Sequence, residues 1–244
     1  MAARPRSEPF AEQACPLGVC DGSGWILGPE DVARPCECRE QRLKRGRVRG
    51  VASAIPPRYR GVSFDRPPVS DMSHQPETRE AVGKVKGFIE QMDSNLEVGR
   101  GLWLFGDTGT GKTTLAMLVS KSATEKGRTV AIYSLPKLLA RIRRTYDEEP
   151  NGDSYAVFFD RLTSVDLLHI DDFGAEKRSD WVLEQLYALV NERYEDERSI
   201  LLTTNLSLDK LEDQIGVRTV SRLTETCEQV PLFGVDRRLA KAPH

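Results

Sequence analysis

The chain has 244 residues, 39% hydrophobic and 30% charged, enough for one α/β domain with a small appendage and too polar for a bilayer. Its 35 basic and 37 acidic residues leave a formal charge of -2, so any affinity for nucleic acid has to come from local segregation of charge. No apolar stretch of signal-peptide type follows Met1, Arg4, Pro5 and Arg6, and the longest apolar runs are far too short to cross a membrane, which predicts a cytoplasmic protein without membrane contact.

Four of the five cysteines, Cys15, Cys20, Cys36 and Cys38, fall before position 40. They bracket a Gly-rich stretch and the apolar triplet 25–27. In a reducing compartment this pattern argues for a metal site over a disulfide framework, with ordinary reduced cysteines as the alternative. Cys227 stands apart and reads as a small buried apolar residue. Next, residues 39–60 carry eight basic side chains against the single acid Glu40, either a solvated linker or an arm that faces phosphate. Pro56-Pro57 and Pro67-Pro68 then punctuate the chain and place a boundary near residue 55.

Val82, Val85, Phe88, Ile89 and Met92 recur at three- and four-residue steps and predict an amphipathic helix over 76–92. Beyond it, short apolar strands are expected at 101–105, 129–134, 165–170, 200–204 and 229–232. Helical periods lie between them at 113–126, 136–146 and 180–196. Strands that alternate with helices imply a parallel sheet covered on both faces. The expected organisation is a Cys-rich module with its basic arm over 1–50, a linker and first helix over 51–98, and an α/β core over 99–244.

Gly106-Asp107-Thr108-Gly109-Thr110-Gly111-Lys112-Thr113, followed by Thr114, satisfies G-x-x-x-x-G-K-[ST] between a predicted strand and a predicted helix. Its glycines let backbone N–H groups turn toward phosphates at a helix N-terminus. Lys112 is expected to reach the β- and γ-phosphates and Thr113 to ligate Mg²⁺. The apolar run 167–170 leads directly into Asp171 and Asp172. Asp171 is the expected Mg²⁺ holder, and Asp172 the general base beside the γ-phosphate of ATP. His169, inside that run, reads as a core residue. Asn205 follows the strand at 200–204, at the carboxyl end where such sheets contact ligands. Arg218 and Arg222 share a helix face, and in an oligomer one such arginine crosses to the neighbour's phosphates.

With these residues assembled, the stretch 55–244 resembles the AAA+ ATPases, and more narrowly the DnaC-type bacterial helicase loaders and the related IstB-type transposition ATPases. The matching pieces are Ile55-Pro56-Pro57-Arg58-Tyr59, Ser63-Phe64-Asp65, the Gly-rich loop, Ile170-Asp171-Asp172-Phe173-Gly174, Thr203-Thr204-Asn205 and Ser221-Arg222-Leu223. The resemblance implies that the Asn205 strand lies between the two motif strands and that Asn205 senses the γ-phosphate. It also implies that Arg222 is the trans-acting finger, with Arg218 as the alternative, and that residues 57–64 approach adenine. Only 22 residues follow Arg222, too few for a full C-terminal lid, which leaves open whether Arg237 or Arg238 replaces the lid arginine. The cysteine module is similar to a zinc-binding segment at the front of some DnaC- and DnaI-like proteins, which implies one Zn²⁺ on its four sulfurs.

The predicted helix over 136–146 carries Lys137, Arg141, Arg143 and Arg144. In the family this region meets DNA, which implies single-strand binding through the phosphate backbone. A surface helix with ordinary charges is the plainer alternative. The resemblance thus implies an oligomeric ATPase that loads a replicative helicase onto single-stranded DNA. The alternative is an IstB-like ATPase that acts on duplex DNA with a transposase.

Overall fold

A computed structural model describes residues 15, 17–21, 23–28, 32–39, 55–146 and 154–237. Most of the basic run, 40–54, and Arg238 lie outside the described residues. The chain divides into two compact units, Met1–Arg49 and Gly50–His244.

In the first unit, β1 (Trp25–Leu27) pairs antiparallel with β2 (Ala33–Pro35), Ile26 opposite Arg34. Each strand has three residues, too few to bury a core alone. What is buried instead is sulfur: Cys15, Cys36 and Cys38 form the small core, with Cys20 and Ile26 against it.

The second unit opens with a 3₁₀ turn (Pro57–Tyr59) and three helices, α1 (Val69–His74), α2 (Pro76–Glu90) and α3 (Met92–Glu97). Strands and helices then alternate: β3 (Gly101–Gly106), α4 (Lys112–Glu125), β4 (Val130–Ser134), α5 (Leu135–Arg144), α6 (Tyr155–Ser164), β5 (Leu167–Asp171), α7 (Asp180–Glu195) and β6 (Ser199–Thr204). Two helices, α8 (Leu208–Ile215) and α9 (Val217–Thr226), precede the last strand, β7 (Cys227–Leu232).

The sheet is parallel at each of its four strand pairings, with order β4-β5-β6-β3-β7. Such a sheet needs cover on both faces, which explains why β3, β5 and β6 read as nearly unbroken apolar runs. On one face Leu102, Leu104, Leu167, Leu201 and Val230 join Val82, Val85, Phe88, Leu115 and Val119 of α2 and α4. By strand alternation Trp103 points to the opposite face, where its ring meets Phe105 edge-on at 6.3 Å. Cys227 is buried at the start of β7 and donates its Sγ–H to the Ile200 carbonyl at 3.5 Å.

Differences from the sequence expectations are local. The strand expected from 165 begins at Leu167; just before it the Asp166 carboxylate accepts from the backbone N–H and hydroxyl of Thr129 at 2.8 and 2.7 Å and ties the start of β5 to that of β4. Arg193, inside α7, is fully buried and donates to the carbonyls of Leu162, Thr163, Val165, Asp166 and Ser199. It fastens the ends of α6 and β6 to α7. Burial, aided by the nearby charge of Arg198, pulls its guanidinium down to about 9.

Candidate active site

Strand β3 ends at Gly106, whose φ of 129° belongs to glycine. A Cβ there would sit 2.1 Å from the Leu232 carbonyl oxygen, so the close approach of β7 also requires hydrogen at this position. The loop is laced from outside. The Asp107 N–H donates to Leu232 O at 3.1 Å, Gly234 N–H to Asp107 Oδ2 at 3.1 Å, and Arg237 N–H to Gly109 O at 3.2 Å. Thr110 is buried and donates its hydroxyl to Asp107 O at 2.9 Å, closing the loop from within.

Gly111, also at positive φ, leads into α4, so the helix N-terminus and its unpaired N–H groups face the loop. The Lys112 ammonium donates to the carbonyls of Gly106, at 2.9 Å, and Asp107, which holds it at the mouth of the loop.

Opposite, Asp171 ends β5 and Asp172 follows. Asp171 Oδ1 accepts from two hydroxyls, Thr113 at 2.9 Å and Thr203 at 2.7 Å, each carried by a different element. Asp172 has a φ of 56°, a left-handed conformation that costs a non-glycine residue about 1–3 kcal/mol. Its N–H donates to Thr203 Oγ1 at 3.0 Å, and the Phe173 N–H to Thr203 O at 2.7 Å. Thr203 therefore holds the backbone that sets where the Asp172 carboxylate stands.

These groups share one cleft of about 1120 Å³. Of the residues singled out in the sequence, Thr108, Gly109, Gly111, Lys112, Thr113, Thr114, Asp171, Asp172 and Asn205 line it. Gly106, Asp107 and Thr110 do not line it: Gly106 and Thr110 are buried, Asp107 is exposed, and the three shape the loop through their hydrogen bonds and backbone. Arg58 and Tyr59 line the cleft as well, as does Arg237, whose side chain donates to Gln75 Oε1 and to Thr78 Oγ1 at 3.2 Å. Sequence reasoning missed Asp71, Met72 and Gln75, which bring α1 to the wall; the prolines before them were read only as punctuation. The volume suits a nucleoside triphosphate. Thr113 and Asp171 offer adjacent hard oxygens, the donor set that suits Mg²⁺.

Arg222 does not line the cleft. It lies on α9, its guanidinium 5.2 Å from the ring centres of both Tyr187 and Tyr194, and Arg218 is exposed one turn earlier. Lys137, Arg141, Arg143 and Arg144 all stand on the exposed side of α5, while Leu135, Leu138, Leu139 and Ile142 are buried. Arg141 lies 5.0 Å from the Phe158 ring and Arg143 4.6 Å from that of Trp181. Just past the helix, Tyr146 stacks on Tyr155 at 5.3 Å and Tyr155 on Phe159 at 5.4 Å, a column of three rings that the sequence reading did not find.

In the first unit the four cysteine sulfurs lie within 4.8 Å of one another. Cys15 and Cys36 are 3.9 Å apart and Cys20 and Cys38 3.5 Å, against about 3.8 Å for the edge of a tetrahedron with Zn–S bonds near 2.3 Å. A donor set of four thiols on turns, with Cys36 N–H donating to Gly24 O at 2.9 Å, fits one zinc ion. The backbone N–H of Cys20 pulls the Cys15 thiol down to about 6, whereas burial and the neighbouring sulfurs push Cys38 up. Four thiolates this close repel one another unless a cation lies among them.

The parallel sheet order, with β6 between β3 and β5, and the Gly-rich loop facing two carboxylates define a P-loop protein of the AAA+ class. The chain belongs to the family described as IstB-like ATP binding protein, which it matches over residues 91–242. It is 24% identical over 186 residues to the replicative helicase loader DnaC of Escherichia coli (strain K12), covering 76% of this chain and 72% of the relative. It is 26% identical over 209 residues to the uncharacterised protein YdaV of the same strain, covering 84% and 79%. Among solved structures, the crystal structure of the DnaC helicase loader superposes with a TM-score of 0.63 at 26% identity, covering 72% of this chain and 99% of that one. The replication initiator DnaA bound to AMPPCP and single-stranded DNA has a TM-score of 0.60 at 22% identity, covering 74% and 51%, and shows a shared fold. Among the described residues no helix is long and apolar enough to cross a membrane.

Proposed function

We propose that this protein is a cytoplasmic, Mg²⁺-dependent ATPase that works as an oligomer and delivers a replicative helicase to single-stranded DNA. In the nucleotide site Gly109, Gly111, Lys112, Thr113 and Thr114 hold the phosphates, and Asn205 meets the γ-phosphate from the end of β6. Asp172 takes the proton of the attacking water as its oxygen bonds to the γ-phosphorus and the bond to the β-phosphate oxygen breaks, the electron pair leaving with ADP. Mg²⁺, held by Thr113 and Asp171, neutralises charge on the phosphate oxygens when bound. Arg222 of a neighbouring subunit adds a positive charge to the same phosphates. The organisation proposed is a zinc and docking module over 1–50, a connecting segment over 51–98 and the ATPase core over 99–244.

The observation that favours single strands is the aromatic column beside the basic face of α5. Lys137, Arg141, Arg143 and Arg144 supply charge for a phosphate backbone. Tyr146, more than half exposed, ends a column of stacked rings on which an unpaired base extends the stack. A duplex hides its base faces and gains nothing from such a column. The similarity to DnaC supports the helicase partner, and the N-terminal module, without catalytic groups, is the piece proposed to dock it.

Two measurements test this reading. The full chain with ATP is expected to bind oligonucleotide single strands more tightly than duplex of the same length, and more tightly than without ATP. It is also expected to capture the cell's replicative helicase, and to lose it on Cys36→Ser with Cys38→Ser. Preference for duplex together with capture of a transposase would replace the loader by the IstB-like alternative.

A further inference from the structure

Arg222 is placed in an unusual way for a surface arginine. Tyr187 and Tyr194 are two helical turns apart on α7, so both rings face α9, and the Arg222 guanidinium lies 5.2 Å from the centre of each. Its Nη1 donates to the Tyr187 hydroxyl at 3.4 Å, and its Nε is buried without a partner. Glu225 lies three residues after Arg222 on the same helix, a spacing at which acid and base readily pair. They do not pair here. Among the described residues Arg222 makes no ion pair, and Glu225 Oε1 instead accepts from the Tyr194 hydroxyl at 2.9 Å.

We propose that Tyr194 is a positioning residue that holds Glu225 away from Arg222 and so keeps the guanidinium charge available for a phosphate on a neighbouring subunit. The proposal rests on the reading of Arg222 as the trans-acting finger. A cation between aromatic faces is fixed in place yet keeps its charge, because a ring quadrupole attracts without neutralising. A carboxylate on the same guanidinium would take up the N–H groups that a phosphate requires and would have to be displaced at each encounter. Tyr194 thus has two separable parts. Its ring helps to seat the guanidinium, and its hydroxyl restrains the acid.

Tyr194→Phe keeps the ring and removes the restraint. In the full-length oligomer, kcat for ATP hydrolysis is expected to fall roughly five-fold, the effect of one exposed ion pair on a group needed in the transition state, while KM for ATP and the melting temperature stay near parental values. Glu225→Gln in the same chain is expected to restore kcat, since the amide has no charge to place on Arg222. A merely structural role for Tyr194 predicts no such rescue. Parental turnover in Tyr194→Phe, or a slow variant that Glu225→Gln leaves slow, would overturn the proposal. Arg222→Ala is the internal reference: if that chain hydrolyses ATP at the parental rate, it is the finger assignment beneath the proposal that fails.

Discussion

The Thr203 hydroxyl donates to Asp171 and accepts from the Asp172 N–H, so one small side chain on β6 sets both acids of the site. Thr203→Val keeps the shape and removes both bonds, and it is expected to lower kcat by roughly tenfold or more as the left-handed Asp172 loses its anchor, whereas Thr203→Ser stays near the parent. Asp172→Asn tests the proposed base on the same backbone, because asparagine tolerates positive φ as aspartate does. Nucleotide binding should survive and turnover stop, since an amide cannot take the proton. Lys112→Ala should instead lose nucleotide binding itself, and equilibrium binding beside single-turnover rates separates the cases. Behind the site, burial pushes the His169 imidazole down to about 3 from 6.5, with Ser120 bonded to its Nδ1 at 2.9 Å. Between those values the unfolded chain binds a proton that the folded chain does not. This contribution is whole above pH 6.5 and is lost as pH falls, at about 1.4 kcal/mol per pH unit. Urea unfolding at pH 7 and pH 5 should therefore show the parent losing about 2 kcal/mol more than His169→Leu. Equal losses would assign the acid sensitivity to other groups.

Among the elements, the four-cysteine module is the clearest case of a fold that its own strands cannot hold. One Zn²⁺ per chain is expected from metal analysis of protein purified without added zinc, and chelation should unfold the first unit while nucleotide binding by the second persists. A metal-free protein in which residues 15–39 remain protected from protease would refute the site. On α5, Arg144→Ala is expected to weaken single-strand binding evenly across sequences and to flatten its salt dependence, while Tyr146→Ala should cost about 1–3 kcal/mol with little change in salt slope. The five parallel strands were legible as short apolar runs, the mark of strands covered on both faces, and the long helices by the 3.6-residue period of their amphipathic faces. The short α1 and α8 give fewer than three turns in which a period can show, whereas α6 carries Tyr155, Phe158, Phe159 and Leu162 at i, i+3, i+4 and i+7, a helical period that was there to be read. Neither the burial of Arg193 nor the stacking of Tyr146 on Tyr155 could be read, because both depend on which elements meet. The motif named Lys112, Thr113, Asp171 and Asp172 by their order, but Thr203 entered only as part of a matching triplet, with no chemistry attached to it.

For the whole molecule, the separation of Arg222 from its own cleft predicts that catalysis belongs to pairs of subunits. Specific activity should rise with protein concentration. A mixture of Arg222→Ala chains and Lys112→Ala chains, each inactive alone, should regain turnover where an intact finger meets an intact loop. A mixture that stays inactive at concentrations where both chains assemble would place the arginine's action in cis.

The register of β3 has a consequence for how this protein is made. Leu102 pairs with Leu201 on one side and with Glu228 on the other, so the strand that delivers the phosphate loop has no neighbour until on the order of 100 more residues have left the ribosome. The outer lacing of the loop waits longer still, for Gly234 and Arg237. A nascent or prematurely terminated chain therefore carries the whole Gly-rich motif without a site to bind nucleotide. Acquisition of nucleotide becomes a late checkpoint of biosynthesis, passed only by chains that have closed the sheet from both sides.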